Sequence, residues 1–318
     1  MNNRQLAVGS WQLTTFGESH GVAIGGVIEG CPAGLRIDCQ LIADDLARRA
    51  TGKTSSESQR RESDEVEFLS GLLDGVTLGT PIAFLVRNTD ARPEDYQPFK
   101  DQFRPSHADY TYQCKYGIRD WRGGGRASAR TMLPYVVAGA IAKQLLTQRG
   151  ITIVAEVHSI GGETDPAKME ALLAQCRSVG DTVGGIVHGS IQGLPAGLGE
   201  PLDDKFQACL SKAMFTIPAV KGFEYGDGFA MASMRGSEAN DPMFQEDGSV
   251  KFLSNHSGGI QGGITNGEEV FFNVAFKPIP TLGRGNRHDV CALPRATVVV
   301  EAMSALTVIG FLEAKSNI

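Results

Sequence analysis

The sequence predicts an α+β fold in which long helices pack against sheets, and three observations carry that expectation. Two long runs, around residues 131–149 and 294–312, are apolar or patterned enough to be helices that cross a core. Runs at 22–28, 151–157, 186–191 and 270–276 are rich in β-branched or aromatic residues and bounded by Gly or Pro, as strands are. The two kinds do not alternate regularly, so a doubly wound parallel sheet fits poorly. No linker or internal repeat divides the 318 residues, and one domain over 1–318 is expected.

Each element has its own signals. In the first helix, 38–49, Asp38 can cap, Leu41, Ile42 and Leu46 share a face, and Arg48 and Arg49 sit at the end that favours cations. In the second, Ser128 or Thr131 can cap and Pro134 is tolerable in the first turn. Val136, Val137, Ala140, Ile141 and Leu145 form its stripe, and Arg149 and Gly150 end it. Shorter helices are expected at 166–178 after an Asp165 cap and at 204–215 after Asp203, with the last helix starting at Pro294.

Composition narrows function. A net charge of -6 and 7% aromatic residues argue against bulk binding to nucleic acid or anionic lipid. Six cysteines, at 31, 39, 114, 176, 209 and 291, show no Cys-x-x-Cys pair and no metal-finger spacing, so no metal site is expected and a reducing cytoplasm is favoured. The N-terminus has no signal-peptide core, and the apolar runs at 136–142 and 298–300 read as too short to span a membrane. The 39 glycines are an excess without a collagen period, which suggests loops where backbone meets ligand.

One of those loops dominates. Arg122-Gly123-Gly124-Gly125-Arg126-Ala127-Ser128-Ala129-Arg130 sets fixed charges around bare backbone at the start of a helix, a construction suited to an anion. From Lys100 to Arg130 there are seven Lys and Arg against three Asp, so positive charge is concentrated locally in an acidic chain. Read alone, the run also fits a solvated Arg/Gly tail. Five further islands interrupt apolar sequence. His20 sits between small residues in Phe16-Gly17-Glu18-Ser19-His20-Gly21. Arg104 precedes His107 by three residues, a pairing suited to binding a phosphate and protonating it as it leaves. The basic turns Lys277-Pro278-Ile279-Pro280-Thr281 and Arg287-His288-Asp289, and the five glycines of residues 255–267, complete the set.

Together the islands resemble the chorismate synthase family in content and order. The matching blocks include the His20 island, the run from Arg104 to Arg130, Pro195-Ala196-Gly197-Leu198-Gly199-Glu200, Ala219-Val220-Lys221-Gly222, Gly236-Ser237-Glu238, Asn255-His256 and Arg287-His288-Asp289, and they span nearly the whole chain. The resemblance implies a β-α-β sandwich with long helices between antiparallel sheets. It also implies a lyase that eliminates phosphate from 5-enolpyruvylshikimate 3-phosphate, in a 1,4-anti sense, with reduced FMN as cofactor. By the family's motifs His20 would favour the anionic reduced flavin, His107 would donate to the departing phosphate, and Asp289 would help flavin N5 accept the proton. Ser19 and Ser128 would support this network, while Arg49, Arg104 and Arg130 would hold the substrate's phosphate and carboxylates. Flavin contacts would fall to Arg126, Ala127, Ser128, Pro218, Ala219, Gly262, Lys277, Pro278, Ile279, Pro280, Thr281 and Arg287. A cytoplasmic homotetramer supplied with reduced FMN by an external reductant is also implied.

Departures from the family pattern are local. Ser55 stands where an arginine is common, with Arg60 or Arg61 as substitutes, Thr131 replaces a glutamate, Tyr135 an arginine and Ala127 a serine. The loop from Leu282 to Asn286 and the region after Gly162 are short. These motivate a second reading, a flavin-binding member with reduced or lost activity. A phosphate transferase would need a Gly-x-x-x-x-Gly-Lys loop beside magnesium-binding carboxylates, and the sequence has no such loop.

Overall fold

The structure, a computed structural model, describes residues 6–8, 11–50, 63–282 and 289–315. Its first sheet is antiparallel throughout, in the order Leu6–Val8, Trp11–Gly17, Ala23–Glu29, Ile82–Arg87, Val66–Phe68. The second, also antiparallel, runs Val220–Tyr225, Val270–Phe276, Gly185–Gln192, Thr152–Ile160. Side chains alternate in and out along Val270–Phe276, as a sheet with one face on the core requires.

Among the described residues seven α-helices accompany them: α1 (Cys39–Arg49), α2 (Asp109–Tyr116), α3 (Leu133–Gln148), α4 (Pro166–Val179), α5 (Phe206–Thr216), the single turn α6 (Gly236–Ala239) and α7 (Leu293–Lys315). The helices α3 and α7 lie against each other between the sheets. The strands Trp11–Gly17 and Ala23–Glu29 pack on α3, and α7 meets both sheets. The result is the expected α+β sandwich, and one continuous apolar cluster fills it. Because α3 is enclosed, Leu133 through Ala142 are all buried, so the stripe read from sequence is a helix apolar all round.

Length and hydropathy would let α7 cross a membrane. Within Leu293–Ala314 an 18-residue window reaches a mean hydropathy of 1.6, which corrects the expectation that every apolar run is too short, but 83% of that window is buried inside the protein. Its Glu301 explains part of that placement. The carboxylate accepts from Arg48 of α1 at 2.6 and 2.7 Å, from Lys143 of α3 at 3.1 Å and from the Ala155 amide at 3.2 Å. Burial opposes its ionisation, but the Arg48 and Lys143 hydrogen bonds outweigh burial and hold the carboxyl below its usual range.

Close helix approach rests on Gly139, where an added Cβ would lie 2.4 Å from the Ala302 Cβ. Gly139→Val is expected to destabilise the protein by about 1–3 kcal/mol through overpacking. An unchanged urea midpoint would contradict that.

Local signals held at several helix ends. Asp38 accepts from the Gln40 amide at 2.8 Å, and Asp165 accepts from Ala167 and Lys168. Ser128 caps a 3-10 turn, Ala129–Met132, that leads into α3, whereas the Thr131 hydroxyl donates to the Ser128 carbonyl. Two expectations are corrected. On α1, Leu41 is exposed, and the buried face is Ile42, Asp45, Leu46 and Arg49. Before α5, the chain is still turning through Glu200 to Lys205, so the helix starts at Phe206 and Asp203 caps nothing.

Candidate active site

A cavity of about 1020 Å³ opens where the two halves of the fold meet. Seven Arg and Lys against four Asp and Glu line it, which makes it a site for an anion. Ligand sites usually span roughly 300–1,000 Å³, so this one has room for more than one small molecule.

The glycine run is its spine. Gly123, Gly124 and Gly125 all have positive φ, at 63°, 85° and 53°, and their backbone passes between two imidazoles. A Cβ on Gly123 would lie 2.1 Å from the His20 ring, and one on Gly124 would lie 2.9 Å from His107 Cε1. Only glycine allows both the conformation and the contact.

His20 arrives at the end of the strand Trp11–Gly17, in a turn closed by Gly21 N–H to Glu18 O at 3.0 Å. The Asn88 amide clamps that turn by donating to the Glu18 and Gly21 carbonyls at 3.1 and 2.8 Å. Ser19 is fully buried behind it. Its hydroxyl donates to the Gly123 carbonyl at 3.3 Å and lies 3.1 Å from His20 Nδ1, so its oxygen can accept the Nδ1 proton.

Beside the opposite face of the spine, Arg104 and Asp109 form a buried pair, with Nε to Oδ2 at 2.8 Å and Nη2 to Oδ1 at 2.9 Å. His107 Nδ1 lies 3.1 Å from Arg104 Nη2 and 3.0 Å from Asp109 Oδ1. Unprotonated Nδ1 can accept from the arginine; protonated, it can donate to the aspartate. Either state has its partner in place without ring rotation. Burial and then the Arg104 charge push the imidazole below its ordinary proton affinity, and Asp109 opposes them.

The Asp109 carboxyl is opposed by burial, but hydrogen bonds from Arg104 bring it down from 3.8 to about 2. A depressed carboxyl stabilises the fold fully above its unfolded value, and that contribution fades as pH falls from 3.8 through about 2. Asp109→Asn should therefore flatten the pH dependence of unfolding in that window. An acid limb as steep as the wild type's would count against the pair.

A second buried ion cluster closes the far wall. Asp64 accepts from Arg49 Nη2 at 2.5 Å and from Arg130 Nη1 at 2.9 Å, while Arg130 Nε donates to Asn88 at 2.6 Å. Burial lowers the Arg49 guanidinium's proton affinity, assisted by the neighbouring Arg130 and Arg295 charges and opposed by Asp64. Nearby, Asp289 pairs with Arg295. The remaining arginine of the spine, Arg126, is tied to the first sheet, donating to Gly17 O at 3.0 Å and Thr15 Oγ1 at 2.7 Å.

Of the residues expected from sequence, His20, His107, Asp289, Ser128, Arg49, Arg104, Arg130, Arg126, Ala127, Pro218, Ala219, Lys277, Ile279, Pro280 and Thr281 line the one cavity. Ser19 stands behind His20, and Pro278 is not among the lining residues. Gly262 lies at the turn joining Ile260–Gln261 to Ile264–Thr265, with open space at its Cβ position, and is not among the residues lining this cavity. Arg287, Ser55, Arg60 and Arg61 lie outside the described residues. Sequence reasoning gave no role to Asp64, Asn88, Arg119 or Arg295. It also gave none to Glu18, whose carboxyl lines the cavity and is raised by burial and Asp120 against the pull of Arg126 and Arg122. No group of three or more His, Cys, Asp or Glu among the described residues could hold a metal ion.

The comparisons with known proteins agree with this geometry. A family model described as chorismate synthase matches residues 11–312. Among curated relatives, a chorismate synthase of Porphyromonas gingivalis is 50% identical over 339 aligned positions, covering 93% of this chain and 92% of its own. Another, from Christiangramia forsetii, is 49% identical and covers 96% and 97%. A crystal structure of chorismate synthase superposes with a TM-score of 0.80 at 30% identity, covering 97% of this chain and 93% of that one. Matches of that extent, on a chain several of whose polar islands meet in one cation-lined cavity, show that it belongs to the chorismate synthase family, and it is therefore a lyase.

Proposed function

We propose that the protein converts 5-enolpyruvylshikimate 3-phosphate to chorismate by 1,4-anti elimination, with reduced FMN bound beside the substrate. The observation that carries this reading is the pair of imidazoles on either side of the glycine spine, in a cavity rich in guanidinium. The reaction breaks one C–O bond, whose electron pair leaves with the phosphate, and one C–H bond, whose pair enters the new diene as the proton is lost, so no net oxidation occurs.

The lining fits a flavin nucleotide on chemical grounds. The Arg126 guanidinium, held by Gly17 and Thr15, would supply a fixed positive charge, and Lys277, Ile279, Pro280, Thr281, Pro218 and Ala219 stand on the same wall. When bound, reduced FMN supplies electron density to the substrate ring and a place for the abstracted proton. The chain's own residues do the rest. Arg49, Arg104 and Arg130 hold phosphate and carboxylates, His107 Nε2 protonates the departing phosphate, His20 would favour the anionic form of the reduced flavin, and Asp289 would help it accept the proton. A bound phosphate dianion reverses the electrostatics at His107, raising its proton affinity as the donor is needed.

The test is phosphate release under anaerobic conditions from purified protein, chemically reduced FMN and substrate. Release is expected. Flavin binding without release would instead support the reading as a family member that has lost activity, which Ser55 and the short loops motivate. We also expect NADPH with oxidised FMN to give no turnover, in keeping with an external reductant. Light scattering would check the homotetramer.

A further inference from the structure

Lys277 connects two parts of the fold that meet nowhere near it in sequence. It follows the strand Val270–Phe276, and its own amide is fixed to the Ala219 carbonyl at 2.9 Å. Its ammonium crosses the cavity edge and donates to the Ser106 carbonyl at 2.9 Å. Ser106 immediately precedes His107 and has φ +55°, a left-handed conformation that is strained for a non-glycine residue. That kink brings the His107 amide to the Arg104 carbonyl at 3.2 Å and sets the ring between Arg104 and Asp109.

We propose that Lys277 is a positioning residue for His107: its bond to the Ser106 carbonyl holds the left-handed kink that presents the imidazole to the cavity. This rests on the reading of His107 as the donor to the leaving phosphate, and it gives Lys277 a task separate from any flavin contact. The ammonium acts by charge as well. The groups that face His107 are Arg104 and Asp109 from its own loop and helix, and Lys277 from the end of the second sheet. Lys277 and Arg104 together disfavour the imidazolium until an anion arrives.

The two roles separate in experiment. In the ligand-free, full-length protein, the His107 ring is followed by NMR titration, its signal identified by loss in His107→Gln. Lys277→Met is expected to move that titration to higher pH, and Lys277→Arg to return it toward the wild-type position. In turnover, Lys277→Met should lower kcat by roughly 10–10²-fold, the cost of a misplaced catalytic group. Ser106→Gly, which relieves the strain at φ +55°, should recover much of that loss in the Lys277→Met background while leaving the titration shifted. An unmoved His107 titration in folded Lys277→Met, or a kcat that Ser106→Gly does not restore, overturns the proposal. A shifted titration in a protein whose wild type releases no phosphate would leave the contact standing and remove the functional reading instead.

Discussion

His107→Ala should slow phosphate release by roughly 10²–10⁴-fold, the range for loss of a positioned general acid, while reduced FMN still binds. The size follows from the site's geometry. Arg104, the nearest cation, is held by two hydrogen bonds to Asp109 and cannot give up a proton, so nothing next to His107 can replace it. The ring's partners also predict its pH behaviour. Burial and Arg104 hold the free imidazole below its usual range, so kcat/KM, which reports the free enzyme, should fall as pH rises through that depressed value. In kcat the limb should lie at higher pH, because bound phosphate favours the imidazolium. Asp109→Asn removes the one group that supports the charged ring and should move the kcat/KM limb to lower pH. Near wild-type turnover of folded His107→Ala would end the assignment of His107 as the acid. A kcat limb below the kcat/KM limb would end the account of substrate-driven protonation.

The sequence was legible where a function is written in consecutive residues, and opaque where it is completed from a distance. His20, Arg104, His107 and the glycine run stood out because each island packs several unusual residue types into a short stretch. Asp64 did not, because it sits among charged neighbours that read as solvated surface; its meaning comes from Arg49, 15 residues before it, and Arg130, 66 after. Arg295 reads simply as part of an apolar helix until Asp289 is seen beside it. The same logic governs the elements. The strand Trp11–Gly17 alternates cleanly in burial, but its outward Thr14 and inward Thr15 lead straight into the His20 island and disguise it as a loop. Helix α2 buries only Asp109, so it carries no apolar stripe to find, and the strand Val220–Tyr225 is broken by a register shift near Gly222. By contrast, the range 270–276 coincides with a strand, since its β-branched and aromatic run holds a single polar residue, Asn273, and that lies at one of the less buried positions.

Asp64→Ala should cost about 3–5 kcal/mol of stability, the penalty for stranding buried charge. Both guanidiniums it binds are nearly inaccessible: Arg49 and Arg130 are each 6% exposed, and so is Asp64 itself. Burial already works against the charged form of Arg49, and Asp64 is the group that opposes it. Without that carboxylate, two like charges face each other across the wall that is proposed to hold the substrate's anionic groups. An external anion should therefore restore part of what is lost. Inorganic phosphate is expected to raise the urea midpoint of Asp64→Ala more than that of the wild type, since binding to the folded state alone adds stability as RT ln(1 + [L]/Kd). Asp64→Asn keeps the shape without the charge and should fall between the two. The pH dependence has a definite sign as well. Burial raises the Asp64 carboxyl, but the two arginines bring it below its ordinary 3.8, so its contribution is complete above that value and fades as pH falls through the depressed one. Asp64→Asn should lose that acid-side dependence. If Asp64→Ala unfolds at the wild-type urea concentration, with or without phosphate, then the guanidiniums are discharged by something other than this carboxylate, and the wall is not the preassembled anion site that its geometry describes.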